Sequence, residues 1–512
     1  MLPIVKMDDK FSTLPVPEFT KKLLLLSGIL LASTQYLLNR SLFTDEASLA
    51  LNIIHRSFYE LLQPLDSIQV APILFLLIEK FFSFLIPNSE YGLRLFPLIC
   101  YFTALLFLFK LLKASFDDSP AFIFGLSLFV FNALILRYAT EIKQYMGDVM
   151  LAAAIGYFTL QKFESEKKRH IALMTVGTVG VFLSNVAPVI LLASGGTLFY
   201  RKLFKESKNF KPLFLTFAVW LSVFLVYYLF FIHDHANRHI QISAFEKRNG
   251  FFEVNPFNTG TGSSFFEVFK NLFHIIFPFG VAGTIALSIL FTIGIVAMVN
   301  KKNYDILIFA ITPIIAHLTL SALKMYPIMP RLMLYLSVSI IIVATTGFAL
   351  SINYLKSISK PGLIRLFIML IPLLMLIQIF ASGGFPHKTK DIKETLKYVE
   401  HKIKPDESLF VDNKAFKVFS FYRDINFFDS KSPVIFKKPQ DFGKKSTIES
   451  YDMLTGKNWL LFAGGNPREN LKLIKQLRKN GFQVLDEFIA KGSSVHLVDF
   501  DTNNKQKHNG FE

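Results

Sequence analysis

Cysteine is nearly absent from this sequence. Cys100 is the only one in 512 residues and lies inside an apolar run, so the chain can close no intramolecular disulfide and offers no thiolate pair to a metal. Charge is scarce as well. Asp, Glu, Lys and Arg make up 18% of residues against 52% hydrophobic ones, and mean hydropathy is +0.42, which excludes an ordinary soluble protein of this length. There is no Walker loop, nucleophile elbow or Gly-rich dinucleotide fingerprint, which removes the commonest nucleotide-binding and hydrolase readings. No repeat of fixed period runs through the chain. Residues 1–20 carry Lys6, Asp8, Asp9 and Lys10 without an apolar core, so no cleavable signal is expected and Leu23 to Leu38 reads as a retained anchor.

What is abundant is long apolar segments. A helix needs ~20 mostly apolar residues to cross a bilayer. Windows near 21–40, 92–112, 120–138, 147–162, 171–184, 186–200, 212–232, 271–299, 304–323, 333–355 and 363–382 read as spans, eleven in all. Residues 68–86, by contrast, carry Glu79 and Lys80 at the centre of an apolar run, where mid-bilayer charge costs a few kcal/mol each. Read as an interfacial helix rather than a span, that segment leaves the basic loops all on one side. These are the loops with Lys21 and Lys22, Lys110 and Lys113, Lys162 to Arg169, Arg201 to Lys211, Lys301 and Lys302, and Lys356 to Arg365.

The net charge of +17 therefore reads as cytoplasmic loops facing anionic lipid, with no nucleic-acid partner. The amino terminus is expected in the cytoplasm, and loops 41–91, 139–147, 233–270 and 324–332 outside. After Phe385 the pattern changes to that of a soluble domain. KETLKYVEHKIK and ENLKLIKQLRKNG read as helices, and ESLFVD, NWLLFAGG, FQVLDEFIA and SSVHLVDF as strands. The expected fold is thus an all-α polytopic membrane domain over 1–383, with interfacial helices in its first exoplasmic loop. A small exoplasmic α/β domain follows over 384–500, and 501–512 reads as a disordered tail.

Three polar constellations interrupt the apolar pattern. Asp45 and Glu46 follow the first span directly. Such a pair can cap the helix ASLALNIIHRSFYELL, whose first turn favours negative charge. It can also supply a general base for an acceptor hydroxyl, or hard oxygen ligands for a divalent metal ion, with Asp45 as ligand. The second constellation, RYATEIKQYMGDVML, gathers Arg137, Glu141, Lys143, Gln144, Tyr145 and Asp148. A solvated turn is one reading, and a polar cavity is the other, since charge so dense at a membrane boundary needs water or partners. The third, KMYPIMPRLMLYL, sets Arg331 at the head of a span, where it can snorkel or grip a phosphate bidentately beside Tyr326 and Tyr335. Among weaker signals, His233, Asp234, His235 and His239 have spacings a metal site could use. Arg94 reads as an interfacial anchor or a partner for an acidic residue, and His317 as a satisfied buried histidine.

An acidic pair after the first span, an interfacial helix with Gln69 and Pro72, LRLFP, the EIKQY element with its Asp148, and a YP-x3-R turn together resemble the C-type glycosyltransferases. Within them the resemblance is to the bacterial branch related to protein O-mannosyltransferases and to the aminoarabinose transferase of lipid A. It covers roughly 20–382. Where many of those relatives have a histidine and paired prolines, this chain has Gln69-Val70-Ala71-Pro72.

The resemblance implies an enzyme of the bacterial inner membrane. It would move a sugar, with inversion at the anomeric carbon, from a polyprenyl-phosphate donor to an envelope acceptor on the exoplasmic side. It implies Asp45 as general base or metal-organising carboxylate and Glu46 as its support, with Lys143 and Arg331 on the donor phosphate. Gln69, Arg94, Glu141, Gln144, Tyr145, Asp148 and Tyr326 would shape the substrate pocket. A transporter or lipid flippase is the rival from another class, although the halves show no matched broken helices. An assembly protein working through its carboxyl-terminal domain is the third.

Overall fold

The computed structural model describes residues 16–501 apart from 118, 207–208, 233–237, 254–264, 277–279, 359–360, 389–390, 430–431, 437–453 and 464–466. In chain order the helices begin with α1 (Glu18–Leu37), α2 (Thr44–His55), α3 (Ile73–Leu85), α4 (Glu90–Phe116), α5 (Pro120–Val130), α6 (Ala133–Tyr138) and α7 (Tyr145–Leu160). They continue with α8 (Glu166–Leu183), α9 (Ala187–Phe204), α10 (Lys211–Tyr227), α11 (Arg238–Glu246), α12 (Phe265–His274) and α13 (Gly280–Asn300). α14 (Tyr304–Ala322), α15 (Leu336–Ile358) and α16 (Pro361–Ala381) complete the apolar part. The chain forms two compact units, one of 1–37, 57–82 and 94–386, the other of 38–56, 83–93 and 387–512.

Each expected span overlaps at least one helix among the described residues. Five helical stretches, Glu90–Phe116, Lys211–Ile232, Gly280–Asn300, Tyr304–Ala322 and Leu336–Leu355, are long and apolar enough to cross a membrane. Two windows are broken. Residues 120–138 divide into α5 and α6 because Asn132 turns its amide onto the chain: its Oδ1 accepts from Leu134 N at 2.9 Å and Ile135 N at 3.0 Å, restarting the helix. Its Nδ2 donates to Ile275 O at 2.8 Å. Window 271–299 falls on parts of α12 and α13. α3, which carries Glu79 and Lys80, has 13 residues. At 1.5 Å per residue that is about 20 Å, short of a ~30 Å hydrocarbon core.

Close helix contact in the first unit rests on small residues. A Cβ on Gly294 of α13 would lie 2.0 Å from Val343 O, and one on Gly347 of α15 would lie 1.9 Å from Leu290 O. The two backbones touch only because neither position has a side chain, the usual basis of helix association in lipid. The far end of α7 is fixed by charge. Arg201 of α9 donates to Thr159 O at 2.6 Å and Leu160 O at 3.2 Å, and its Nη2 meets Asp305 Oδ2 at 2.9 Å. Lys205 reaches Asp305 at 3.0 Å, Arg169 grips Glu206 at 2.9 and 2.7 Å, and Lys202 pairs with Glu166. These groups collect where α7 and α9 end and α8 and α14 begin.

The second unit contains a five-stranded sheet built from β1 (Ser408–Val411), β2 (Val434–Phe436), β3 (Lys457–Ala463), β4 (Gln483–Ala490) and β5 (Ser493–Asp499), in the order β2-β1-β3-β5-β4. β1 runs parallel to β2 and β3, and β5 antiparallel to β3 and β4. α17 (Ile392–Lys402), α18 (Phe416–Asp424) and α19 (Pro467–Lys479) complete it, with α18 as the crossover between the parallel strands β1 and β2. Phe410, Leu460, Phe462, Ile474, Leu477 and Val498 form a buried core on one side. Gly481, at φ +88°, ends α19 as KNG implied. α18 and the three-residue β2 are additions to the sequence expectation, and the expected tail lies beyond the described residues, save Asp501.

Candidate functional site

The expected site residues divide between the two units. Asp45 and Glu46 belong to the second, and Gln69, Arg94, Glu141, Lys143, Gln144, Tyr145, Asp148, Tyr326 and Arg331 to the first.

In the second unit, extended Phe43 precedes α2, and Glu46, three residues on, turns back to accept from Phe43 N at 3.0 Å. That bond satisfies one of the free N–H groups at the helix start. The same carboxylate takes Arg40 Nη1 at 2.6 Å and Nη2 at 3.0 Å, a bidentate pair with Glu46 fully buried. Glu46 therefore fixes the turn. Asp45, beside it, is half-buried.

Further bonds clamp the approach to that turn. Leu42 N donates to Tyr422 Oη at 2.8 Å, and the Tyr422 hydroxyl donates to Glu90 at 2.9 Å. Lys393 bridges Glu90 at 2.5 Å and Asn39 O at 2.7 Å. Arg40, Tyr422 and Lys393 were not singled out from sequence. Arg40 could have been, because a buried acid at the third position of a helix requires a cation nearby.

The first unit gathers the other two constellations at the start of α7. Lys143 is buried and donates to Gln69 Oε1 at 2.8 Å across 74 residues of sequence. Arg137 Nε meets Glu141 at 2.9 Å, so those two charges form an internal pair. Tyr145 packs edge-on to Tyr138 with ring centroids 5.2 Å apart, and Gln144 is buried just ahead of the helix. Asp148, one turn in, accepts from Ser184 Oγ at 2.5 Å. The break at Ser184 thus has a purpose, since it presents a hydroxyl to a buried carboxylate. Arg94 is buried near the start of α4 rather than placed at a surface.

The turn before α15 closes the same patch. His317 Nδ1 lies 3.1 Å from Tyr335 Oη, and its ring meets Tyr326 edge-on at 5.2 Å, so this buried histidine packs among the tyrosines of that turn. Tyr326 lies within electrostatic reach of Asp148, Tyr335, Tyr145 and Arg331. Burial first, and then Asp148, hold its phenol well above the ordinary range, with Arg331 opposing. Tyr145, Asp148, Tyr326 and Arg331 are thereby brought together from two distant stretches, and Lys143 lies two residues before Tyr145 on the chain. A carboxylate with no expected role, Glu79 of α3, is wholly buried, and neither oxygen has a hydrogen-bond partner among the described residues. Burial raises it far above the usual carboxylate range.

Among the described residues no group of three or more His, Cys, Asp or Glu is placed to hold a metal ion. His233, Asp234 and His235 lie outside them, and His239 is exposed.

No protein-family model matches the sequence, and no curated protein matches it. Solved structures do match. ArnT from Cupriavidus metallidurans in the apo state aligns with a TM-score of 0.50 and 12% identity, covering 92% of this chain and 97% of that one. The same protein bound to undecaprenyl phosphate aligns with a TM-score of 0.51 and 12% identity over the same shares. This chain has the fold of that protein, the GT-C fold, with a small sheet domain at its carboxyl end.

Proposed function

We propose that this protein is a multi-pass inner-membrane glycosyltransferase that moves a sugar from a polyprenyl-phosphate donor to a cell-envelope acceptor on the exoplasmic side, with inversion. The observation that carries the reading is the buried cationic and polar patch at the start of α7, in a fold shared with a protein captured with undecaprenyl phosphate.

In the proposed reaction the acceptor oxygen attacks the anomeric carbon as the bond from that carbon to the donor phosphate oxygen breaks. The acceptor proton passes to Asp45, and the leaving electron pair stays on the polyprenyl phosphate. Charge grows on that phosphate, and Lys143 and Arg331 stabilise it, Lys143 being oriented by Gln69. Glu46, tied to Arg40, serves by holding the turn that carries Asp45. Arg94, Glu141, Gln144, Tyr145, Asp148 and Tyr326 shape the substrate pocket. No step is routed through a metal, because the described residues offer no converging ligand set.

The test is transfer of label from a polyprenyl-phosphate sugar to envelope lipid or protein by the purified chain. A covalent product supports the reading. Movement of the labelled lipid across vesicles without any covalent product would overturn it in favour of a transporter.

A further inference from the structure

Away from the α7 patch, α9 and α10 leave between them an apolar groove of 430 Å³, with Pro188, Leu192 and Phe199 on one wall, Phe217, Trp220 and Leu221 on the other, and Gly195 and Gly196 among its lining. That volume lies in the range of real ligand sites. Leu192 and Leu221 each keep 58% of their surface exposed. α10 belongs to a stretch apolar enough to cross a membrane, so these side chains face hydrocarbon rather than water.

One end of the groove is cationic. Phe199 meets Phe210 with ring centroids 6.0 Å apart, which sets Lys211, the next residue, at that end. Lys211 is exposed and occupies the first position of α10. A cation there opposes the helix dipole, so Lys211 does nothing for the helix itself. Lys205, two turns past Phe199 on the chain, keeps 39% of its side chain exposed while touching Asp305.

We infer that the groove is a binding site for an anionic phospholipid of the bilayer, whose acyl chain lies along α9 and α10 and whose phosphate meets Lys211 and Lys205. An apolar slot ending in basic residues between membrane helices suits such a lipid. The site is separate from the donor's. Lys143 precedes α7, whereas Arg201, four residues before Lys205, binds the carbonyls of Thr159 and Leu160 at the helix's far end. Sixteen residues of α7 put about 24 Å between those ends. The inference needs only that the helices be membrane-embedded, and it stands or falls independently of sugar transfer.

Trp220 lines the groove and supplies the probe, and the only other tryptophan, Trp459, lies in the sheet of the second unit. The full chain would be reconstituted in phosphatidylcholine and titrated with phosphatidylglycerol carrying brominated acyl chains, which quench tryptophan on contact. Quenching is expected to saturate at a lower lipid fraction than with brominated phosphatidylcholine, and Trp220→Phe should abolish the saturating component. Lys211→Glu, which places at the helix start the charge that the dipole prefers, should fold normally and move the midpoint up about fivefold. Leu192→Phe with Leu221→Phe should fill the groove and remove saturation. Quenching that rises in proportion to either lipid, or that Lys211→Glu leaves unmoved, overturns the site. Relief by excess polyprenyl phosphate would overturn it too, by marking the groove as a seat for the donor's chain.

Discussion

Arg40→Met would strip Glu46 of a bidentate partner while leaving its carboxylate fully buried. Breaking a buried pair from one side costs about 3–5 kcal/mol, because an uncompensated charge stays behind. In a unit of this size that is a fall on the order of 10 °C in unfolding temperature. Arg40→Met combined with Glu46→Leu removes both charges, and such replacements are close to neutral. What remains is loss of the bond from Glu46 to Phe43 N, a capping interaction with a value of ~1 kcal/mol. The double variant should therefore be more stable than the single one. Thermal unfolding in detergent, followed by circular dichroism and by fluorescence of buried Trp459, reads both. A harmless Arg40→Met, or a double variant no better than the single, would refute the structural role given to Glu46.

Gly294→Ala and Gly347→Ala should each destabilise the first unit by about 1–3 kcal/mol or more, since a Cβ would meet backbone oxygen at 2.0 and 1.9 Å. Gly362→Ala, with nothing within 4 Å, should not, and detergent melting curves compare the three. His496 is buried between Glu487 at 3.2 Å and Ser494 at 3.1 Å, and burial holds its pKa below the ordinary value. The unfolded chain takes up a proton near pH 6.5 that the folded chain refuses, so stability is full above that pH and is lost as pH falls through it. His496→Gln should flatten this dependence in a pH series of melts. Gln69→Leu removes a hydrogen-bond partner of buried Lys143 and should weaken polyprenyl-phosphate binding about tenfold, with Lys143→Met weakening it further, as measured by equilibrium binding.

The sequence carried the membrane helices well, because burial in lipid imposes one strong demand, a long apolar run. It carried the break at Asn132 less well, since one side-chain amide decides it and hydropathy does not register that. The strands of the second unit were readable from their apolar composition and flanking glycines, but β2 has only three residues and leaves no pattern to read. Tyr326 and Asp148 could each be named as polar residues at helix ends. Their convergence depends on how α7 and the turn before α15 pack, which is a tertiary fact. Glu46 illustrates the opposite case: its chemistry suggested a site, and only the position of Arg40 reveals how firmly that carboxylate is engaged.

The central claim, sugar transfer with Asp45 as base, is tested most directly by the turnover of Asp45→Asn in the labelled-donor assay, alongside its unfolding temperature and its affinity for polyprenyl phosphate. Loss of a general base removes about 10²–10⁴ in rate. A fall of that order is expected, with stability and donor binding unchanged, because Asn keeps the shape and Glu46 still holds the turn. Wild-type turnover by Asp45→Asn would contradict the claim.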